Sequence, residues 1–572
     1  MIFKPVFSGI AIALLIFCLA WPAMAKMPWE VWDYSKEKPV RGGYYRTASS
    51  VDVGLLNPNH WPVLDWLVIN YFFEKFLITD GTYRPVNWMM DGWEYPTPTT
   101  CIMKVKRGIT FHDGTRFDAH AIKYQIDWIM DPVNGTWSKG WLKPVKSVSV
   151  VDDYTVKWEF KQPWAAFLGI IANVPGYAIS PKALEQDNIL RQAKIMKKKI
   201  AEAKKKNDSN LVAKLERQAV IINKKAEGAV SSDINPVGTG KWLLEDRSKG
   251  NYIKVKRNPN WWFGKSIGQP DMPYHDGIVT TIIPDPSVRL ANLRAGKIDV
   301  MTLTKQQYQM VKNARNLNVY ISPVNHVRAL RFNHAKGPAT DIRVRQAVSL
   351  AIDRKALIAA AEMGMGRPAT SLYPEDHWAS NPNLKPWPYD PEKAKKLLAE
   401  AGYANGLVLK GYMRNDTQSK TWTEIIKNML LKVNVDWQVD VLDAVAGSDR
   451  MKNLEYDLAG GGWSWIYDPD LQASGLYHPD GGFNFGRTNN TKAIALIEAG
   501  RREVDLDKRK KIYWDLQQTL YDNVEDAWLF YEMWPSAYNK NVRGYDFENS
   551  KKHKEIWSWS HPLWFKNGKA SR

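Results

Sequence analysis

The stretch Ala459-Gly-Gly-Gly-Trp463-Ser-Trp465-Ile-Tyr467-Asp468-Pro469-Asp470 constrains this chain more than any other. Three glycines strip the backbone of side chains, and three aromatics follow at alternate positions. On a strand, successive side chains point to opposite faces. Trp463, Trp465 and Tyr467 therefore share one face, and Ser464, Ile466 and Asp468 the other. Each ring can bury about 150–250 Å², worth roughly 4–6 kcal/mol if wholly removed from water. Rings of that size beside bare backbone either fill a core or form a wall that a ligand covers. The glycines and the Asp-Pro exit favour the wall.

A chain of 572 residues exceeds what one hydrophobic core organises, so two or three domains are expected. Its 27 tryptophans run from Trp21 to Trp564 without a repeat, and some are expected to stack on a solute. Residues 1–25 read as a secretory signal: Lys4, an apolar run from Ile10 to Leu19, then Ala23-Met24-Ala25 as a small-x-small cleavage site. Cys18 follows Phe17 rather than a small residue, which argues against a lipoprotein. After cleavage only Cys101 remains, so no internal disulfide can form, and a bacterial periplasm is the expected compartment. Removing the signal leaves 78 basic against 60 acidic groups, a net charge of +18. A generally basic exported protein accounts for that excess, and no nucleic-acid partner is expected.

Strands and helices alternate along the chain. Cys101 to Lys106 alternates as a strand, and Asp118 caps a helix with Ile122, Ile126 and Ile129 on one face. Val148 to Val151 and Tyr154 to Phe160 make a hairpin. Residues 182–230 predict a helical hairpin with stripes Ala193, Met196, Ile200, Ala203 and Leu211, Leu215, Ala219, Ile222. Residues 191–206 carry eight basic groups and one acidic, Glu202. Such a run is a solvated helix face or a dock for an anionic partner. Further on, Ala329 to Asn333 is a strand, Asp341 and Asp390-Pro391 start helices, Leu407 to Tyr412 and Trp437 to Leu442 flank a helix, and Ala527 to Tyr531 is a strand.

Several motifs together resemble the family-five extracellular solute-binding proteins, the dipeptide, oligopeptide and nickel receptors of bacterial ABC importers. They are Gly108-Ile-Thr-Phe-His-Asp-Gly-Thr-Arg-Phe-Asp-Ala119, Asn235-Pro-Val-Gly-Thr-Gly240, Arg289-Leu-Ala-Asn-Leu-Arg-Ala-Gly-Lys-Ile-Asp299, Asp341-Ile-Arg-Val-Arg-Gln-Ala-Val-Ser-Leu-Ala-Ile-Asp-Arg354, Tyr389-Asp-Pro-Glu-Lys-Ala-Lys-Lys-Leu-Leu398 and Gly462-Trp463. The resemblance implies an α/β, two-lobed periplasmic binding protein fold of type II, in its enlarged oligopeptide-receptor form. On that pattern domain I is 26–55, 166–326 and 531–572, domain II is 56–165, and the second lobe is 327–530. The hairpin at 182–230 lies outside the usual pattern, as an insertion. The implied function is capture of a peptide-like solute between the lobes and its delivery to an inner-membrane permease, by a monomer without a cofactor. In peptide binders of this family an aspartate shortly after the counterpart of Trp463 pairs with the peptide ammonium. Ile466 stands there in this chain, so Asp468 is a shifted equivalent, or else the solute is an oligosaccharide, an opine-like conjugate or an aromatic or cationic compound.

The candidate ligand-binding residues are therefore Trp463, Trp465, Tyr467 and Asp468, with Arg487 available to fork onto an anion or to make a surface ion pair. Tyr45 and Asn57, with Tyr44, Trp61 and Trp88 beside them, are candidates from the first lobe. Asp468 and Asp470 are also compatible with a glycosidase acid pair, the alternative of a saccharide or peptide hydrolase. The ten histidines show no metal-binding spacing, and no metal site is expected.

Overall fold

The structure is a computed structural model that describes residues 37–60, 66–464, 468–544 and 562–570. The expected signal segment, Trp61, Trp465, Tyr467 and most of the aromatic tail 556–564 lie outside these residues. No helix among the described residues is long and apolar enough to cross a membrane.

Two sheets carry the first part of the chain. In one, Tyr44–Ser49 runs parallel to Gly277–Ile282, followed by Tyr252–Arg257 and Trp242–Ser248 as antiparallel neighbours. The other is a four-stranded antiparallel sheet in the order Met90–Thr97, Thr100–Val105, Thr155–Phe160, Val145–Asp152. Alternation of buried and exposed positions along Thr100–Val105 puts Cys101, Met103 and Val105 inward. Cys101 is fully buried, and burial pushes its thiol up to about 12, so it packs as a small apolar residue. A single apolar cluster continues through both sheets and includes Trp158, Phe167, Trp242 and, from the C-terminus, Trp564 and Phe565.

The second part of the chain builds its own cores. Leu407–Arg414 and Val435–Leu442 pair in parallel across the helix Thr417–Leu431, a βαβ unit whose helix buries Trp422, Ile426 and Leu430. The Trp437 indole donates to Leu458 O at 3.0 Å, which ties this unit to the glycine-rich strand Leu458–Ser464. A second cluster gathers Tyr373, Trp378, Leu476, Tyr513 and Leu516.

Two long strands, Leu317–Phe332 and Asp526–Asn539, join the halves. Their Leu317 end pairs beside Val300–Thr302 over a small core of Leu290, Leu293, Met301 and Ala537. Their Phe332 end pairs beside Leu458–Ser464. Between Pro323 and Val327 the register shifts: three residues on one strand stand against Glu532 alone on the other. Sequence patterning located only Ala329 to Asn333 and Ala527 to Tyr531. The remaining length was hidden because Pro323, Asn325, His326 and Arg328 break the alternation, and the outer partners of the two strands change midway, from Val300–Thr302 to Leu458–Ser464.

Pro181–Lys205 and Ser209–Ala226 form the expected helical hairpin, opened by a Ser180 cap and turned at Lys206–Asp208. The inner seam uses Ala203 and Ala219 as buried contacts. Leu211, placed in that seam by the sequence, is exposed at 41%, and Val212 takes its position.

Candidate functional site

The glycines of Leu458–Ser464 are required by their neighbours. A Cβ on Gly460 would stand 1.8 Å from Met413 Sδ, and one on Gly462 would stand 2.7 Å from Val327 O and 2.8 Å from His326 Nε2. Removing side chains lets His326 and Arg328 lie across the strand, opposite Ser464 and Gly462 in register. The result is a cavity of about 530 Å³ floored by Gly460, Gly461 and Gly462 and walled by Trp463, Phe483, Tyr412 and Trp422. Trp463 meets Phe483 edge to face, with centroids 4.7 Å apart. Its indole nitrogen is buried without a partner among the described residues.

The polar rim is cationic. Glu532 is 1% exposed and accepts from Arg328 Nε at 2.7 Å, His326 Nδ1 at 3.1 Å and Trp534 Nε1 at 3.0 Å. Burial raises its pKa, but the His326 hydrogen bond and the Arg328 charge outweigh burial and hold it well below the usual carboxylate range. Glu532 binds Arg328 through Nε, which leaves both Nη groups without a partner among the described residues. Arg414, at the end of its strand, lines the same cavity, is exposed, and has no ion pair among the described residues. Behind the rim, Lys305 pairs with the fully buried Glu362, and Gln418 donates to Glu362 and, at 3.4 Å, to Glu532. Two guanidinium groups beside an indole wall, at the mouth of a strand junction, suit a solute that carries carboxylates. Among the described residues no three His, Cys, Asp or Glu side chains are grouped to hold a metal ion.

The residues named from sequence are distributed unequally. Trp463 lines the cavity. Asp468 does not belong to that wall. The described strand runs Leu458–Ser464, and Asp468 caps the helix Pro469–Tyr477. Its carboxylate receives Arg509 Nη1 at 2.8 Å and Nη2 at 2.7 Å, with both side chains under 5% exposed. An acid held in this way is not a vacant ammonium anchor. Asp468 borders a different cavity, of about 680 Å³, whose walls include Arg84 and Trp93 on one side and Trp378 and Trp514 on the other. Asp470 is buried beside Arg501 and Ser474, which leaves the Asp468–Asp470 pair without the open carboxylates a glycosidase needs.

Three further expectations are corrected. Tyr45 is 4% exposed, stacked on His275 with centroids 5.1 Å apart, because its strand position points into the core. Asn57 is fully buried and staples its loop, donating to Ser232 Oγ at 2.8 Å and accepting from Asn59 N at 2.9 Å. Arg487 is exposed in a turn at φ 56° and lies outside both cavities, with no ion pair among the described residues. Tyr44 bonds Glu245, and Trp88 packs on Phe263. Arg328 and Arg414 were missed: each sits in an ordinary strand, and only the pairing of distant strands brings them to one rim.

Asp526 opens the long strand Asp526–Asn539, opposite Arg331. It is buried and accepts from the Tyr477 hydroxyl at 2.5 Å. Burial pushes its pKa up from 3.8 to about 6, against the opposing Arg331 charge and Tyr477 bond. The protonated acid is favoured in the fold, so its contribution is complete below pH 3.8 and lost as pH rises through about 6. Asp526→Asn is expected to flatten that part of the stability profile, read as urea midpoints between about pH 4 and pH 7. A variant midpoint falling as steeply as the parent's would contradict the assignment.

A two-lobed α/β molecule whose halves are joined by two long antiparallel strands of one sheet, with a solute-sized cavity beside them, defines the class of type II periplasmic binding proteins. The model of the bacterial extracellular solute-binding proteins, family 5, matches residues 84–484, and the chain belongs to that family, whose members serve ABC importers. Glutathione-binding protein GsiB of Escherichia coli K12 is 28% identical over 462 residues, covering 78% of this chain and 80% of that protein. The Helicobacter pylori periplasmic binding protein DppA, solved with the peptide STSA, aligns over 93% of this chain and all of its own, at 22% identity and a TM-score of 0.69. NikZ from Campylobacter jejuni, solved with Ni(L-His), aligns over 88% of this chain and 95% of its own, at 24% identity and a TM-score of 0.68.

Proposed function

We propose that this protein is a periplasmic receptor that captures a small, carboxylate-bearing, peptide-like solute and presents it to an inner-membrane ABC permease. The observation that carries this reading is the pair of incompletely satisfied guanidinium groups, Arg328 and Arg414, beside Trp463 in one cavity. The acid that would take a peptide ammonium, Asp468, is already bound by Arg509. Recognition therefore rests on the solute's carboxylates and apolar surface. That chemistry agrees with similarity to proteins named for glutathione and peptide binding. An opine-like acid shares the chemistry, whereas a cationic solute does not. Solute is held without being altered, by a monomer whose lobes close over it and whose signal at 1–25 is removed on export. Domain I (26–55, 166–326, 531–572), domain II (56–165) and the second lobe (327–530) are the bodies that close, with the register shift at Pro323–Val327 as the hinge.

Calorimetry against a tripeptide panel tests the reading. Acetylating the peptide amine is expected to change affinity by less than about threefold, while amidating a carboxylate costs at least about tenfold, the loss of one charge-assisted contact. The reverse order would make a free ammonium the recognised group and overturn the reading.

A further inference from the structure

The Pro181–Ala226 hairpin lines neither cavity, yet it is strongly basic. Its first helix is 25 residues, about 37 Å long. From Lys182 to Glu227 it carries 13 basic and 6 acidic residues. Only two cation–acid pairs lie within it, Lys198–Glu202 at 3.9 Å and Lys204–Glu216 at 2.8 Å.

The two faces of each helix differ. At 100° per residue, Val212, Leu215, Ala219 and Ile222 of the second helix fall together and form the inner seam, against Ala193, Met196, Ile200 and Ala203 of the first. Opposite that seam lie Lys214, Arg217, Val220, Ile221, Lys224 and Lys225. Val220 is 68% and Ile221 63% exposed, the two most exposed large apolar residues of the described chain. The face of the first helix opposite the seam carries Ile195, 40% exposed, among Lys194, Lys198 and Lys199, and points away from the outer face of the second helix. Cations alone would describe a solvated surface. Cations surrounding β-branched side chains that the hairpin's own seam does not use describe an interfacial surface. Lysine and arginine reach headgroup phosphates while the aliphatic groups enter the boundary below them.

We propose that the outer face of the second helix docks the receptor on an anionic phospholipid bilayer, with Val220 and Ile221 entering the interface and Lys214, Arg217, Lys224 and Lys225 meeting the headgroups. Docking of this kind confines a soluble receptor to the membrane plane in which a permease sits, and it acts independently of the solute cavity. A nucleic acid or soluble polyanion would engage the lysines but leave Val220 and Ile221 without a function, so the bilayer accounts for more of the surface.

The test is cosedimentation of the mature chain with vesicles of about 30% phosphatidylglycerol in phosphatidylethanolamine, against phosphatidylcholine vesicles. Partition onto the anionic vesicles is expected to exceed that onto neutral ones by more than about tenfold in about 0.1 M salt, and to be lost in about 0.5 M. Combined Lys214→Glu, Arg217→Glu and Lys224→Glu should abolish it, whereas combined Lys194→Glu and Lys198→Glu, on the opposite side of the hairpin, should not. Combined Val220→Ser and Ile221→Ser should weaken vesicle binding by at least about threefold, while leaving binding to soluble polyphosphate unchanged. All of these positions are exposed, so the fold is expected to persist, checked by circular dichroism and by unchanged solute affinity. No binding to anionic vesicles would overturn the proposal. So would binding that is indifferent to Val220 and Ile221 and equalled by polyphosphate, which would make the hairpin a general polyanion site.

Discussion

Arg509→Ala is expected to destabilise the second lobe by about 3–5 kcal/mol, the usual result of leaving one member of a buried ion pair alone. Asp468 and Arg509 are both nearly inaccessible, joined by two hydrogen bonds of 2.7 and 2.8 Å. The guanidinium also lies 5.6 Å from the Trp378 ring centroid and 5.3 Å from that of Tyr513. Removing it leaves the Asp468 carboxylate facing aromatic rings, with the Asp470 backbone N–H as a remaining donor. Urea unfolding monitored by tryptophan fluorescence gives the midpoint of that lobe. The double change Asp468→Leu with Arg509→Met should recover most of the loss, because the charges then leave together. If Asp468→Ala instead left the midpoint unchanged and abolished solute binding, Asp468 would be a recognition group and the pair incidental.

Trp463→Ala is expected to weaken solute binding by about 2 kcal/mol or more, roughly 30-fold, as truncation of a central aromatic contact does. Its ring forms the wall between the glycine floor and Phe483. The buried Leu, Ala and Tyr side chains of the neighbouring core stay in place, so stability should fall less than binding. Trp463→Phe keeps part of the wall and should recover part of the affinity. Calorimetry with the solute released from purified protein measures both. Equal losses in stability and affinity would make Trp463 a core residue, the other expectation its spacing allows.

What could be read from the chain depends on whether the interaction was local. Asp118, Asp341 and Asp390 announce their helices because a cap acts within three residues, and the structure shows each accepting from the helix it opens. The same proximity made Thr100–Val105 and Thr155–Phe160 legible. Asp468 was misread for the opposite reason. Alternation was extended past Ser464 into a cap, and its true partner lies 41 residues further on. Tyr45 and Asn57 were drawn toward the site by residue type, but core packing and loop stapling claimed them. Arg328 and Arg414 had no local signal, because a rim assembled from three strands is a property of pairing. The glycines were read as exposed backbone, and they floor the cavity, but their spacing is also dictated by Met413, His326 and Arg328 arriving from elsewhere.

The register shift between Pro323 and Val327 has a mechanical consequence. Because both strands continue hydrogen-bonded on either side of it, the lobes cannot slide past one another without breaking a ladder. Any motion that preserves both ladders is taken up at residues 324–326 and Glu532, where Gly366 also pairs. Glu532 is the residue at that point, and its carboxylate holds Arg328 beside the cavity. If Arg328 holds the solute as proposed, a change of backbone geometry at Glu532 re-aims the guanidinium that holds the cargo.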